Sequence, residues 1–380
     1  MYNWNLKDLK NLLSEYKGKI KATDDLVLRE EYEKTVSNII EVIKSYRGMT
    51  GIDFSQISSI IPNTYDSVIR DDFNIHQICR AYFPIVRDFR DIMDGTEVSL
   101  QDNLPKVNIS CSEIVAITSE FYHQFRGIFS STFDDLAANF RNRLYFRKAY
   151  RNNCYGGNTY SIYGTNEVFV ECIKGNTMQD CVSSIHESSH AITSRLNQNI
   201  MWDWNKYCLI EVDSLFFEMV GTSFVADLLG DKLSGLRIRL ATFKDNLYSA
   251  DIICSKEDMY GDLSNKELQS KKNVIDYYKE EIGYDKFATK DAMYSRIQDY
   301  MHYIISYLVA VELYMIFIND QNRALDLLYK IVMLKDLDNN IYLRCVRKLG
   351  IEPGRNIKEY YNLLLKEEDG IKYGKKLQYR

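Results

Sequence analysis

Hydrophobic positions recur at helical spacing along most of this chain. The period predicts helices over 5–17, 23–48, 65–93, 111–141 and 178–196. It predicts others over 207–229, 234–255, 264–281, 289–319, 321–334 and 338–349. Only four prolines interrupt the 380 residues, so little breaks the pattern. One segment departs from it. TYSIYGTNEVFVECIKGNT, residues 159–177, is rich in β-branched and aromatic side chains and is bounded by Gly157, Gly164 and Gly175. Its clearest strand is EVFVECI. The expectation is a mainly α protein with a small β-sheet. The polar segment 94–113, which carries Pro105, marks a boundary between an N-terminal helical region, 1–100, and a larger region, 101–380.

Composition narrows the classes. A chain 46% hydrophobic and 27% charged, with net charge −5, is an ordinary globular protein without the basic surface that nucleic acid requires. No run of 18 apolar residues is present, so no membrane span is expected. The N-terminal residues lack the apolar core of a signal peptide, which points to a cytoplasmic location. The eight cysteines form no CxxC pair and read as reduced thiols. Oligomeric state has no signature here.

The chemistry concentrates in CVSSIHESSHAITSRL, residues 181–196. His186 and His190 are four apart, hence neighbours on one helical face. Two imidazoles so placed can reach one zinc ion at about 2.0–2.1 Å. Glu187, one position round, can take a proton from a water that the metal acidifies. Two of only five histidines occupy this spacing, which argues against accident. Thr177 and Asp180 have the spacing of a capping box at the start of this helix. The strand just before it is an expected edge along which an extended peptide could pair through Glu167, Val168, Phe169 and Val170. A catalytic zinc needs a third protein ligand. Glu211 and Glu218, two turns apart on an otherwise apolar helix, are buried carboxylates in need of partners. One can bind metal, and the other can orient a ligand imidazole.

These residues resemble the thimet oligopeptidase and oligopeptidase F family of zinc peptidases. FVECIKGNTMQDCVSSIHESSH follows that family's passage from strand to zinc helix, with Asp180 in the place of a supporting Asp. EVDSLFFE fits its E-x-x-S-x-x-x-E pattern, which implies Glu211 as the ligand and Glu218 as the supporting carboxylate. WNLKDL is similar to the opening of oligopeptidase F chains. Ser189 stands where the family usually has Gly, and Glu211 follows His190 by 21 positions, a trimmed connection. The chain is also shorter than typical members. The resemblance implies a zincin-like helical fold, one zinc ion (Zn2+) per chain, a peptide substrate, and hydrolysis of short peptides by a water that Glu187 activates. It further implies a Tyr and His group on a late helix to steady the oxyanion. Tyr294, Tyr300, His302, Tyr303 and Tyr307 lie in the matching segment, with His302 and its neighbours foremost.

Two other readings use the same residues. Glu187–His190 and Glu120–His123 are both E-x-x-H pairs, and two such pairs build the di-iron centre of a ferritin-like bundle. That reading leaves His186 without a role. A catalytically inactive peptide-binding homologue is the other, although the histidines and the base are all present.

Overall fold

The computed structural model describes residues 6–50, 84, 87, 104–125, 127–138, 143–148, 156–161, 168–197, 209–260, 290–333 and 346–378. The chain opens with α1 (Leu6–Ala22) and α2 (Leu26–Thr50), followed by α3 (Cys111–His123) and α4 (Ile128–Ala137). Three strands come next: β1 (Leu144–Lys148), β2 (Gly157–Ser161) and β3 (Val168–Lys174). The helices α5 (Gln179–Leu196), α6 (Val212–Leu229), α7 (Lys232–Tyr260), α8 (Lys290–Phe317), α9 (Gln321–Val332) and α10 (Ile357–Gln378) complete the order. The protein is mainly α with one small sheet, as the periodicity predicts. The helix expected over 264–281, most of those over 65–93 and 338–349, and residues 94–103 of the boundary segment lie outside the described residues.

Three local departures have local causes. The helix expected over 111–141 is two helices, because Gly127 between them has a φ of 96°, which L side chains rarely adopt. The helix expected from 207 begins at Val212, with Glu211 as its N-cap. α10 has no counterpart among the predicted helices. Its buried apolar positions, Ile357, Tyr360 and Leu364, are thinly spaced among charged residues.

In the sheet, β3 is central. β1 pairs with it in parallel, from Leu144↔Val170 to Lys148↔Lys174. β2 pairs antiparallel, from Gly157↔Cys172 to Ser161↔Val168. Strand side chains alternate between faces, and the two faces of β3 meet different neighbours. Val168, Val170 and Cys172 enter the main helical core. Phe169 joins its cross-strand partner Tyr160 against Leu9, Leu12, Ile39 and Ile43 of α1 and α2. The sheet is thus a layer between the N-terminal helical pair and the core that holds α5.

α5 and α6 cross closely. A Cβ on Gly221 of α6 would lie 2.8 Å from Ile185 Cδ1 of α5, so glycine lets the helices approach this closely without displacing Ile185. Around them pack Phe121, Tyr122, Phe133 and Phe217, and the buried Tyr122 hydroxyl donates to the Ile185 carbonyl at 2.7 Å. No helix among the described residues is long and apolar enough to cross a membrane.

Candidate metal centre and active site

The turn from β3 into α5 sets the direction of the motif helix. Asn176 takes a left-handed conformation, φ 59°, which asparagine tolerates better than most residues. The Asp180 carboxylate accepts the Gly175 and Asn176 amide N–H groups at 2.8 and 2.9 Å. The reciprocal capping box expected from Thr177 and Asp180 does not form. Met178 is the N-cap, without a side-chain cap, and the Asp180 N–H meets the Thr177 carbonyl at 3.1 Å. Asp180 therefore fastens strand to helix at the turn, with both amide contacts ahead of the motif.

Three donors converge from α5 and the start of α6. His190 Nε2 lies 3.0 Å from Glu211 Oε2, and His186 Nε2 lies 3.5 Å from the same oxygen. The donor atoms of His186, His190 and Glu211 all fall within 4.8 Å of one another. A tetrahedral ion with bonds of about 2.0–2.1 Å needs its donors about 3.3 Å apart. The set fits zinc in chemistry and spacing. Glu211 is buried, while both imidazoles retain some exposure, at 19% and 17% of their side-chain surface. A substrate atom or water can thus approach from that side. Ser214 Oγ donates to Glu211 Oε2 at 2.8 Å and holds the carboxylate in place.

The other nitrogen of His186 is committed. Its Nδ1 lies 2.8 Å from Glu218 Oε2, and a proton on Nδ1 leaves the Nε2 lone pair facing the donor cluster. The structure thus brings Glu211 and Glu218 to one centre in two different positions: Glu211 among the donors, Glu218 behind one of them. Burial pushes both imidazoles down, yet the two carboxylates outweigh it at His186, which is held well above the ordinary histidine range. At His190 the Glu211 charge and hydrogen bond, aided by Asp213, carry the ring up to about 9 against burial. Glu211 itself is raised by burial but held well below the carboxylate range by the two imidazoles. The field that favours protons here also favours a divalent cation in their place.

Glu187 points elsewhere. Thr159 of β2 donates to its Oε2 at 2.8 Å and lies 2.9 Å from its backbone carbonyl. A Cβ on Gly157 would stand 2.6 Å from Glu187 Cγ and 2.3 Å from the Glu171 carbonyl, so the strand can pass this close only without a side chain there. Burial raises the Glu187 carboxyl, opposed by the two imidazoles and the Thr159 hydroxyl. Beside the donor set but outside it, with its carboxyl raised by burial, it has the attributes of a general base.

The strand expected to receive a peptide is central in the sheet and not an edge. β2 pairs with it from Val168 to Cys172 and β1 from Val170 to Lys174, so among the described residues Val170 is flanked on both sides, and Val168 and Phe169 by β2 alone. Glu167 lies outside the described residues. The edge strand on the Glu187 side is β2. Tyr294, Tyr300 and His302 fall on the α8 backbone, and their side chains are outside the description. Tyr303 is 44% exposed. Tyr307 is buried behind the centre, its phenol raised by burial, by Tyr360 and by the Glu218 charge. Glu120 and His123 do not join a metal-binding group among the described residues. His123 lies in an exposed array instead, 3.0 Å from Asp134 Oδ2 and 3.2 Å from Ser119 Oγ, which removes the second E-x-x-H pair of a di-iron centre.

Sequence reasoning missed Thr159, Asp213, and Thr242 of α7, whose hydroxyl donates to Glu218 Oε1 at 3.0 Å. Gly157 was visible as the start of the β-prone segment, which gave a hint of β2. A single threonine on a distant helix carries no signal.

No protein-family sequence profile matches the chain, and no curated protein matches it in sequence. Solved structures match by fold. A structure assigned to oligoendopeptidase F from Bacillus anthracis superposes with a TM-score of 0.53 at 13% identity, over 78% of this chain and 57% of that one. PZ peptidase A with an inhibitor gives 0.51 at 13% identity, over 75% and 56%. A second structure assigned to oligoendopeptidase F gives 0.51 at 13% identity, over 90% and 65%. This chain thus spans less than two thirds of the length of each. By fold it is similar to the oligoendopeptidase F peptidases, the family that its H-E-x-x-H and E-x-x-S-x-x-x-E spacings resemble.

Proposed function

We propose that the protein is a zinc-dependent peptidase acting on short peptides. The observation that carries this reading is the division of labour among four residues. His186, His190 and Glu211 converge as donors, while Glu187, next in sequence to a donor, is drawn aside by Thr159. Zinc, when bound, acidifies a water and polarises a carbonyl.

The chain's own residues then do the following. His186, with Nδ1 fixed by Glu218, presents Nε2 in one orientation. His190 and Glu211 complete the donor set. Glu187 receives the proton of the attacking water and passes it to the leaving amine. Burial raises its carboxyl above the ordinary range, which makes it a stronger proton acceptor than an exposed glutamate. The peptide backbone lies along the outer edge of β2, where no described strand pairs, rather than along β3. That edge places the chain beside Thr159 and hence beside Glu187. α8 supplies the oxyanion donor from the group Tyr294, Tyr300, His302 and Tyr303.

The test is cleavage of internally quenched peptides by zinc-loaded protein and by Glu187→Gln. The variant should retain about one zinc per chain and lose turnover by about 10³-fold. Equal turnover in the two proteins, or a wild type that takes up no zinc, overturns the reading.

A further inference from the structure

Glu218 has two carboxylate oxygens, and both are used. Oε2 takes His186 Nδ1 at 2.8 Å; Oε1 accepts the Thr242 hydroxyl at 3.0 Å. Thr242 belongs to α7, a helix that contributes nothing to the donor set. A threonine inside a helix usually turns its hydroxyl back to the carbonyl four residues earlier. This one reaches across to another helix.

The physical consequence concerns rotation. A glutamate held by one hydrogen bond can still turn about its last two torsions, and the imidazole it holds turns with it. A second anchor on the other oxygen removes that freedom. The backbone beneath is fixed as well, since the Thr222 hydroxyl donates to the Glu218 carbonyl at 2.6 Å. Thr242 in turn has a defined position. One turn earlier on the same face, Arg239 pairs with Glu367 of α10. One residue later, Phe243 stacks on Tyr361 of α10 with ring centroids 5.1 Å apart. The hydroxyl is therefore presented by a helix that α10 holds at Arg239 and Phe243, on either side of Thr242 in sequence.

We propose that Thr242 is a positioning residue of the metal centre. Through Glu218 it fixes the tautomer and ring plane of His186, and so strengthens metal binding. The proposal rests on the zinc reading above. Outer partners of a ligand histidine typically change metal affinity by about 10–100-fold when removed, and Thr242 stands one step further out.

The experiment measures zinc affinity by chelator competition in wild type, Thr242→Val, Thr242→Ser, Glu218→Ala and the double variant Glu218→Ala/Thr242→Val. Thr242→Val should weaken zinc by about 10-fold, the lower end for such partners, and Thr242→Ser should restore most of the loss. In the Glu218→Ala background, Thr242→Val should have no further effect, because its route to the metal is gone. A second measurement serves if Glu218→Ala fails to fold. Nitrogen spectra of the metal-free protein should show the His186 Nδ1 proton held in wild type and in Thr242→Ser, and exchange-broadened in Thr242→Val. Wild type without zinc affinity overturns the zinc reading and this proposal with it. Zinc bound equally by wild type and Thr242→Val overturns the proposal alone. So does an undiminished Thr242→Val effect in the double variant, or an unchanged His186 signal.

Discussion

α5 and α6 meet at the centre and are built on opposite plans. α5 is a polar sequence, buried over most of its length, and it settles many of its polar groups nearby. Ser189 donates to the His186 carbonyl at 2.9 Å, and Asp180 serves the two amides just ahead of the helix. α6 and its cap are mostly apolar, with a few hydroxyls that bond within the helix and a few acidic residues, and three of the acidic residues meet side chains of α5. Glu211 faces His190 and His186, Asp213 accepts the Thr193 hydroxyl at 2.6 Å, and Glu218 holds His186. The difference is instructive. The chemistry of α5 is written in its own spacing, whereas the acidic residues of α6 make sense only across the interface.

The largest test removes one partner from each side of that interface. His190→Ala and Glu211→Ala should each weaken zinc by more than the roughly 10–100-fold typical of an outer partner. The metal-free proteins should then differ. Glu211→Ala leaves imidazoles that can shed their protons and stay buried as neutral rings. His190→Ala leaves a buried carboxylate with less compensation, a situation that costs up to about 3 kcal/mol when other contacts persist. Thermal unfolding of chelator-treated protein should therefore rank His190→Ala below Glu211→Ala. Equal melting temperatures would show that the two helices share the cost evenly.

The same contrast governs what could be read from sequence. His186, Glu187 and His190 are separated by small fixed offsets on one helix, and helical geometry alone puts them on neighbouring faces. Glu211 and Glu218 could be singled out as carboxylates in an apolar helix, but their division of roles needed the family resemblance. β3 was legible as a strand and misread as an edge. Val168 to Cys172 are buried in succession, so both faces of the strand are covered, but which edges are paired depends on β1 and β2 and is not written in VFVEC itself. β1 escaped notice because LYFRK has neither alternation nor a turn signal beside it. Thr159 and Thr242 were invisible for a deeper reason. A hydroxyl's partner is set by tertiary contact, and nothing in the residues around it announces that partner.

A middle-sized effect should come from the turn that aims α5. Asp180→Ala strips the acceptor from two amides, and one hydrogen bond to a charged group is worth about 1.5–3 kcal/mol. Replacement by solvent or a shifted turn returns part of this, so a net loss of about 2 kcal/mol is expected. Asp180→Asn, which keeps one oxygen, should lose less. Zinc affinity should change little in either variant, since the carboxylate's amide contacts lie at the turn and not at an imidazole. A large loss of affinity with little loss of stability would make Asp180 a partner of the metal ligands and undo its assignment to the scaffold.

The smallest effect probes the crossing itself. Gly221→Ala on α6 adds a methyl group 2.8 Å from Ile185 Cδ1 and 3.1 Å from its Cγ2. Two terms oppose each other. Alanine is favoured over glycine within a helix by about 1 kcal/mol, and overpacking in a tight core costs about 1–3 kcal/mol. Ile185 is fully buried and precedes His186, so its side chain has little room to move. Overpacking should win by about 1 kcal/mol. Ile185→Val removes Cδ1, the nearest clashing atom, and leaves Cγ2. In that background Gly221→Ala should cost less than it does alone, a coupling that a thermodynamic cycle reads directly. Additive losses would mean that the helices move apart instead. In that case zinc affinity should fall in Gly221→Ala as well, because the donors of α5 and the cap of α6 would separate along with their helices.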